Sequence, residues 1–191
     1  MIVKRLKTIE YGKYYIAVAE NNKQFEFAVF YNGKNDKPKI KSFFYSTLEE
    51  GEKSIQSDIQ ALEKAKKDLR GMDNFPSKEE FVECLKYLLD EITDNQLKML
   101  IAHAKKPDRK IYAEELAEIT GYKDLGGANM HYGDLGHKIC DFLSYKPKEE
   151  SNNVPVWTFV IASGDYDENK HWYWIMRNEL YEALKESNLL N

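Results

Sequence analysis

Six residues near the start of the chain have the types needed to hold nucleic acid. Arg5, Lys7, Lys13, Tyr15, Lys39 and Lys41 lie in segments rich in aromatic and β-branched residues, where alternate side chains of a strand share one face. A sheet face carrying such cations neutralises phosphates, which supplies most of the affinity for DNA, while hydrogen-bonding side chains read base edges. The bland reading of the same residues is a solvated outer face, with lysines guarding an edge strand against unwanted pairing. A second set, Asn129, His131, Asp134, His137 and Lys138, forms the polar positions of a later helical stretch. One lysine set among Asp134 and Asp141 faces a phosphate backbone poorly, so this set suits a protein partner better. Asn129 has the bidentate amide that pairs with adenine, but a helix N-cap explains it equally well.

Enzymatic constellations do not stand out. His131 and His137 are six apart and point in different helical directions, unlike the i, i+4 pair of a zinc site. His137 and Cys140 share a face, yet two ligands do not make a site. Neither Cys84 nor Cys140 has an identifiable base, and both fall on apolar helical stripes, so they read as buried thiols. Gly126-Gly127 belongs to no phosphate-loop or dinucleotide motif. Gly133 and Gly136 inside a helical pattern point to close helix packing, the other reading being a break that lets a ligand near the backbone. The acids Asp165, Asp167 and Glu168 read as a solvated turn. The expectation is a non-enzymatic protein with no cofactor and no metal.

The elements that position these residues follow from composition and periodicity. The chain has 191 residues, with 28 Lys+Arg against 32 Asp+Glu. Residues 1–45 carry nine basic and four acidic side chains, a net +5, which leaves −9 for the remainder. That split suggests two modules with different partners. No apolar run approaches the roughly 20 residues of a membrane span, and the basic, alternating N-terminus lacks a signal-peptide block. Two cysteines make no disulfide framework, which favours a reducing cytoplasm.

Tyr14–Ala19, Phe25–Tyr31 and Lys39–Tyr45 read as three antiparallel strands, joined through Asn21-Asn22 and a longer turn from Asn32-Gly33 to Pro38. Ser46 or Thr47 then caps a helix running to about Leu69, giving a βββα module over residues 1–71. Residues 72–191 read as helical. Ser77-x-x-Glu80 is a capping-box start. Helices follow from Thr93, from Tyr112 to Ile119, and from about Ala128 to Leu143. Val156–Ile161 and Trp172–Met176 read as a two-stranded ribbon around a turn at Ser163–Asp165, and a last helix covers about Asn178–Asn188. Helix, short helix, turn, helix and ribbon is the order of a winged helix-turn-helix. The fold class expected is α+β.

Two resemblances accompany this reading. Tyr112-Ala113-Glu114-Glu115-Leu116-Ala117, then Ala128-Asn129-Met130-His131-Tyr132-Gly133-Asp134-Leu135-Gly136, and finally Trp174-Ile175-Met176-Arg177-Asn178-Glu179, resemble a bacterial winged-helix-like domain found beside HNH nucleases. Asn178 stands where that pattern has proline. The nuclease itself is absent, so the resemblance implies only a restriction-associated or defence neighbourhood. Glu10–Tyr14 and Phe44-Tyr45-Ser46-Thr47-Leu48-Glu49-Glu50 are similar to AP2-type and integrase arm-binding domains, which lay a sheet in the DNA major groove. Together these readings imply a double-stranded-DNA-binding sheet and a winged helix that meets a protein partner, such as a nuclease, in phage–bacterium conflict. The other reading is a protein-binding inhibitor or adaptor of anti-defence type, whose acidic half occupies a target's nucleic-acid groove.

Overall fold

A computed structural model describes residues 4–21, 24–32, 39–71 and 73–191. Both turns expected between the N-terminal strands lie partly outside those residues. The chain divides into two compact units, Met1–Arg70 and Gly71–Asn191.

The first unit is a meander of β1 (Lys4–Tyr11), β2 (Tyr14–Asn21), β3 (Gln24–Tyr31) and β4 (Lys39–Tyr45), followed by α1 (Leu48–Lys67). The three-stranded sheet expected from the sequence is therefore wrong: the sheet has four strands, in the order β1-β2-β3-β4. β1 escapes a hydrophobicity-based reading because it is an edge strand. None of its residues is fully buried, and its charged side chains interrupt the apolar signal. Tyr14, Ile16, Val18, Phe27, Val29 and Tyr31 are buried on the face that α1 covers with Ile55 and Ile59. Thr47 caps α1 by accepting from the Glu50 amide. Gly51 lets the helix approach closely, because a Cβ there would collide with the Phe27 ring and lie 2.8 Å from Tyr45.

The second unit begins with α2 (Lys78–Leu88) and α3 (Asp94–Lys105), each opened by a capping box, Ser77 with Glu80 and Thr93 with Gln96. A tight turn at Pro107–Arg109 leads to β5 (Lys110–Tyr112) and α4 (Ala113–Thr120). Gly121 closes α4 at φ 71°, a left-handed conformation natural to glycine. α5 (Leu125–Leu143) starts from an Asp124 cap. A short hairpin of β6 (Glu150–Ser151) and β7 (Val154–Pro155) follows, then β8 (Ala162–Tyr166), β9 (Trp172–Met176) and α6 (Asn178–Glu186). The order β5-β9-β8 pairs the ribbon through β9 with the short strand that precedes α4.

One detail of the ribbon is corrected. Val156–Ile161 is not a strand; Trp157–Val160 forms a 3-10 turn packed on α5, and β8 takes up the Ser163–Asp165 segment expected as a turn. Thr158, Val160 and Ile161 are all buried, so apolarity here reflects packing against a helix and not strand alternation. Among the described residues, no helix is long and apolar enough to cross a membrane.

Candidate nucleic-acid interface and partner cleft

α1 covers one face of the N-terminal sheet, and among the described residues no element of the same unit covers the other. The register arranges that open face in rows across the strands. Arg5, Ala19, Glu26 and Phe44 form one row; Thr8, Ala17, Ala28 and Ser42 the next; Glu10, Tyr15, Phe30 and Lys39 the third. A line of small side chains thus runs between two lines of larger ones. Two diagonal contacts bridge it. Arg5 donates from its guanidinium to the Tyr15 hydroxyl, and Lys39 pairs with Glu26 at 3.3 Å. Glu26 also accepts from the Ser42 hydroxyl at 2.6 Å. The Ser42 hydrogen bond, followed by Lys39, outweighs partial burial and holds the Glu26 carboxyl below its usual range. Phe44 is 54% exposed, and the Tyr15 and Phe30 rings lie 5.5 Å apart.

Only three of the six expected nucleic-acid residues meet on this face: Arg5, Tyr15 and Lys39. Lys7 pairs in register with Val18 and forms an ion pair with Glu52 of α1, on the covered side. Lys41 pairs in register with Val29 and sits 5.1 Å from the Phe43 ring, also on that side. Lys13 reaches Glu63 of α1 at 3.1 Å. Burial of Glu63 raises its pKa, but the Tyr14 hydroxyl, Lys13 and Lys66 overcome that and leave it lowered. The single basic stripe is therefore divided, and the cause is local. The register shifts between Arg5 and Lys7 in β1, and again where β4 passes from Lys41 to Lys39. A bulge adds one residue and reverses which face the following side chains take, so residues two apart in sequence part company. Bulges are common on edge strands, and both β1 and β4 are edges.

The second unit treats its five expected partner residues unequally. Asn129 is exposed and lines a cleft of about 620 Å3 together with Glu114, Leu125, Val154, Trp157 and Trp172. His131 instead stacks on Tyr122 at 4.8 Å with planes 5° apart. Asp134 accepts from the Gln96 amide at 2.7 Å and pairs with Lys138 at 3.2 Å. Lys138 also donates to the Gln96 carbonyl oxygen at 3.2 Å. Fully buried Gln96 thus ties Asp134 and Lys138 to the start of α3. His137 packs on Trp157 at 4.5 Å and lies 3.6 Å from Asp141. These four hold α5 in place, and only Asn129 of the set faces the cleft.

Aromatic rings build the cleft wall. Trp172 and Trp174 share a strand face, their rings 5.3 Å apart and edge-to-face, and both line the cleft. Trp172 lies across Gly164, where a Cβ would overlap its ring. Tyr173 points the other way, with Lys110 Nζ 3.5 Å above its ring. Gly136 brings α5 against the 3-10 turn, since a Cβ would stand 2.7 Å from the Trp157 carbonyl carbon. Gly133 differs: the nearest atom to a Cβ there is Thr158 Oγ1 at 3.9 Å, an ordinary contact.

His103 is the polar residue whose importance the sequence did not signal. It is fully buried, with Nδ1 2.6 Å from the Tyr132 hydroxyl and Nε2 3.0 Å from the Arg109 carbonyl and 3.3 Å from that of Trp174. Two carbonyl acceptors at Nε2 assign the proton there, so Tyr132 donates to Nδ1 and the ring is neutral. Burial pushes its pKa down to about 4, against the opposing pull of the Trp174 and Arg109 carbonyls. Both cysteines are buried free thiols. Burial, reinforced by Asp141, pushes Cys140 up to about 12, so its thiolate is unavailable as a nucleophile at neutral pH. Among the described residues no cluster of three or more His, Cys, Asp or Glu is placed to hold a metal ion. Compared with known proteins, the chain matches no family model, no curated protein and no solved structure.

Proposed function

We propose that this chain is a non-enzymatic DNA-binding protein that lays the open face of its N-terminal sheet on the duplex and offers its winged unit to a protein partner. The observation that carries the reading is the row Thr8, Ala17, Ala28 and Ser42, flanked on one side by the row that holds Arg5 and on the other by the row that holds Tyr15, Phe30 and Lys39. Small side chains let a sheet approach a groove closely, and the flanking cations meet phosphates on either side. Glu26, hydroxyl-capped on the same face, has the acceptor that reads the cytosine amino group. A cytoplasmic setting suits the buried free thiols. The defence-related neighbourhood and a nuclease partner rest on the resemblance of residues 93–190.

The test is fluorescence anisotropy with a labelled duplex over a range of salt. Arg5→Gln with Lys39→Gln should weaken binding at least tenfold and lower the log–log salt slope by about two, because roughly one counterion is released per phosphate neutralised. Lys7→Gln with Lys13→Gln, on the covered side, should leave both quantities nearly unchanged. Equal losses from the two pairs would remove the open face from the reading, and no binding at low salt would remove DNA altogether.

A second reading has its own observation. The cleft walled by Trp157, Trp172 and Trp174, with Glu114 and Asn129 among its polar groups, is the kind of pocket that anchors a partner side chain. If DNA does not bind, the protein is an inhibitor or adaptor acting through this cleft. Asn129→Ala and Trp172→Ala would then abolish its effect on the target while the N-terminal pairs would not.

A further inference from the structure

Cations gather at one place in the otherwise acidic second unit. Residues 71–191 hold 14 basic and 22 acidic side chains, yet Lys105, Lys106, Arg109 and Lys185 line a single cleft of about 750 Å3 with Asn178 and Tyr181, beside one acid, Asp108. Two of the four are committed nearby: Lys106 pairs with Glu115 and Lys185 with Glu182 at 3.2 Å. Lys105 is exposed and makes no ion pair among the described residues. Arg109 is fixed without being neutralised. Its Nη1 donates to the Asn178 side-chain oxygen at 3.0 Å, and its guanidinium lies 5.0 Å from the Tyr181 ring centre. Its remaining N–H groups have no partner among the described residues.

The backbone supports the same reading. Asp108 and Arg109 both adopt left-handed conformations, at φ 53° and φ 55°. Side chains disfavour that region, and successive non-glycine residues persist there only where neighbours enforce it. Here the Arg109 carbonyl accepts from the buried His103 ring at 3.0 Å, and the Arg109 amide donates to the Lys106 carbonyl at 2.9 Å. The first turn of α6, whose Arg177 N-cap makes no side-chain cap hydrogen bond, begins at Asn178 on the cleft wall and adds the positive end of a helix. A turn anchored to the core thus presents a planar fork of donors to a cavity with room for more than a bare ion.

We propose that this cleft, between the Pro107–Arg109 turn and the face of α6 bearing Asn178, Tyr181 and Lys185, is an anion site for a phosphate group, with Arg109 as its bidentate donor and Lys105 and Lys185 as flanking charges. The phosphate belongs either to a nucleic-acid backbone or to a free polyphosphate. The site does not depend on the N-terminal sheet.

The test uses the full chain, 15N-labelled and followed by NMR, titrated separately with pyrophosphate and with a short DNA duplex. The Arg109 side-chain Nε–H and the amides of residues 106–110 and 178–181 should shift in at least one titration. A duplex that saturates these shifts at tenfold lower concentration identifies a backbone phosphate; tighter binding of pyrophosphate identifies a free one. Arg109→Lys keeps the charge and loses the fork, and should weaken binding about tenfold. Lys105→Gln with Lys185→Gln leaves the strained turn untouched and should weaken it several-fold. The shifts should persist in the Arg5→Gln, Lys39→Gln protein, which separates this site from the sheet. Absence of shifts with both probes, or titrations unaffected by both sets of variants, would overturn the proposal.

Discussion

At the scale of single residues, His103 decides more than any charged group on the surface. Its neutral ring joins α3, α5, β9 and the turn carrying Arg109 through hydrogen bonds to Tyr132, Trp174 and Arg109. Its pKa is about 4 in the folded protein against an ordinary 6.5. The unfolded chain therefore binds the proton more readily, and the His103 contribution is complete above pH 6.5 and lost as pH falls through 4. Linkage sets that loss at about 3 kcal/mol. Thermal melts from pH 7 to 4 should show it, and NMR should find a His103 ring that stays neutral at pH 5; titration near 6.5 would contradict the network. Tyr132→Phe removes the donor to Nδ1 and should cost about 1–3 kcal/mol. A lone histidine on a helical stripe carries no sequence mark of this role, because its partners lie 29 and 71 residues away.

Among the elements, α5 separates two glycines that look alike in sequence. Each Gly in a helix costs about 1 kcal/mol against Ala, and close packing accounts for that cost at only one of the two. At Gly136 a methyl group would meet the backbone of Trp157, which cannot turn aside. Gly136→Ala should destabilise by about 1–3 kcal/mol, as overpacking does. Gly133→Ala meets only Thr158 Oγ1 at 3.9 Å and should stabilise by up to about 1 kcal/mol. Because Gly133 lines the aromatic cleft, the same variant should weaken any partner that fills it. Paired denaturant titrations of the two variants test the distinction; similar effects from both would refute it. The bulges of β1 and β4 make the same point for the sheet, where a shift of one residue moved Lys7 and Lys41 away from Arg5 and Lys39.

At the scale of the molecule, each unit has its own buried core. Ile16, Val18, Phe27, Ile55 and Ile59 serve the first; Phe81, Leu100, Leu116, Tyr132, Leu135 and Leu180 serve the second. A chain beginning at Asp73 should therefore fold alone, with a cooperative melt and the same perturbed His103. Circular dichroism and NMR of that fragment provide the check, and a fragment without a cooperative transition would show that the second core depends on the first unit. The net charge of −4 opposes DNA as a whole, so attraction must be local, and binding should fall steeply with salt.

Local signals were legible in the sequence because local physics makes them. Ser77 with Glu80, Thr47, Thr93 and Gly121 set helix ends through hydrogen bonds and backbone conformations spanning a few residues. The alternation of Tyr14, Ile16 and Val18 likewise placed one face of β2 against a helix. The α+β class and the helical order of the second unit were legible as well, while Arg5, Tyr15, Lys39 and Asn129 stood out only by residue type. Only the tertiary structure decided which candidates share a surface. β1 joined the sheet through backbone pairing that hydropathy does not record, and two bulges then divided the cations between faces. The polar face of α5 was likewise divided, with Asn129 left to the cleft and Asp134 and Lys138 bound to Gln96. Register and packing are relations between distant segments, and no single segment encodes them.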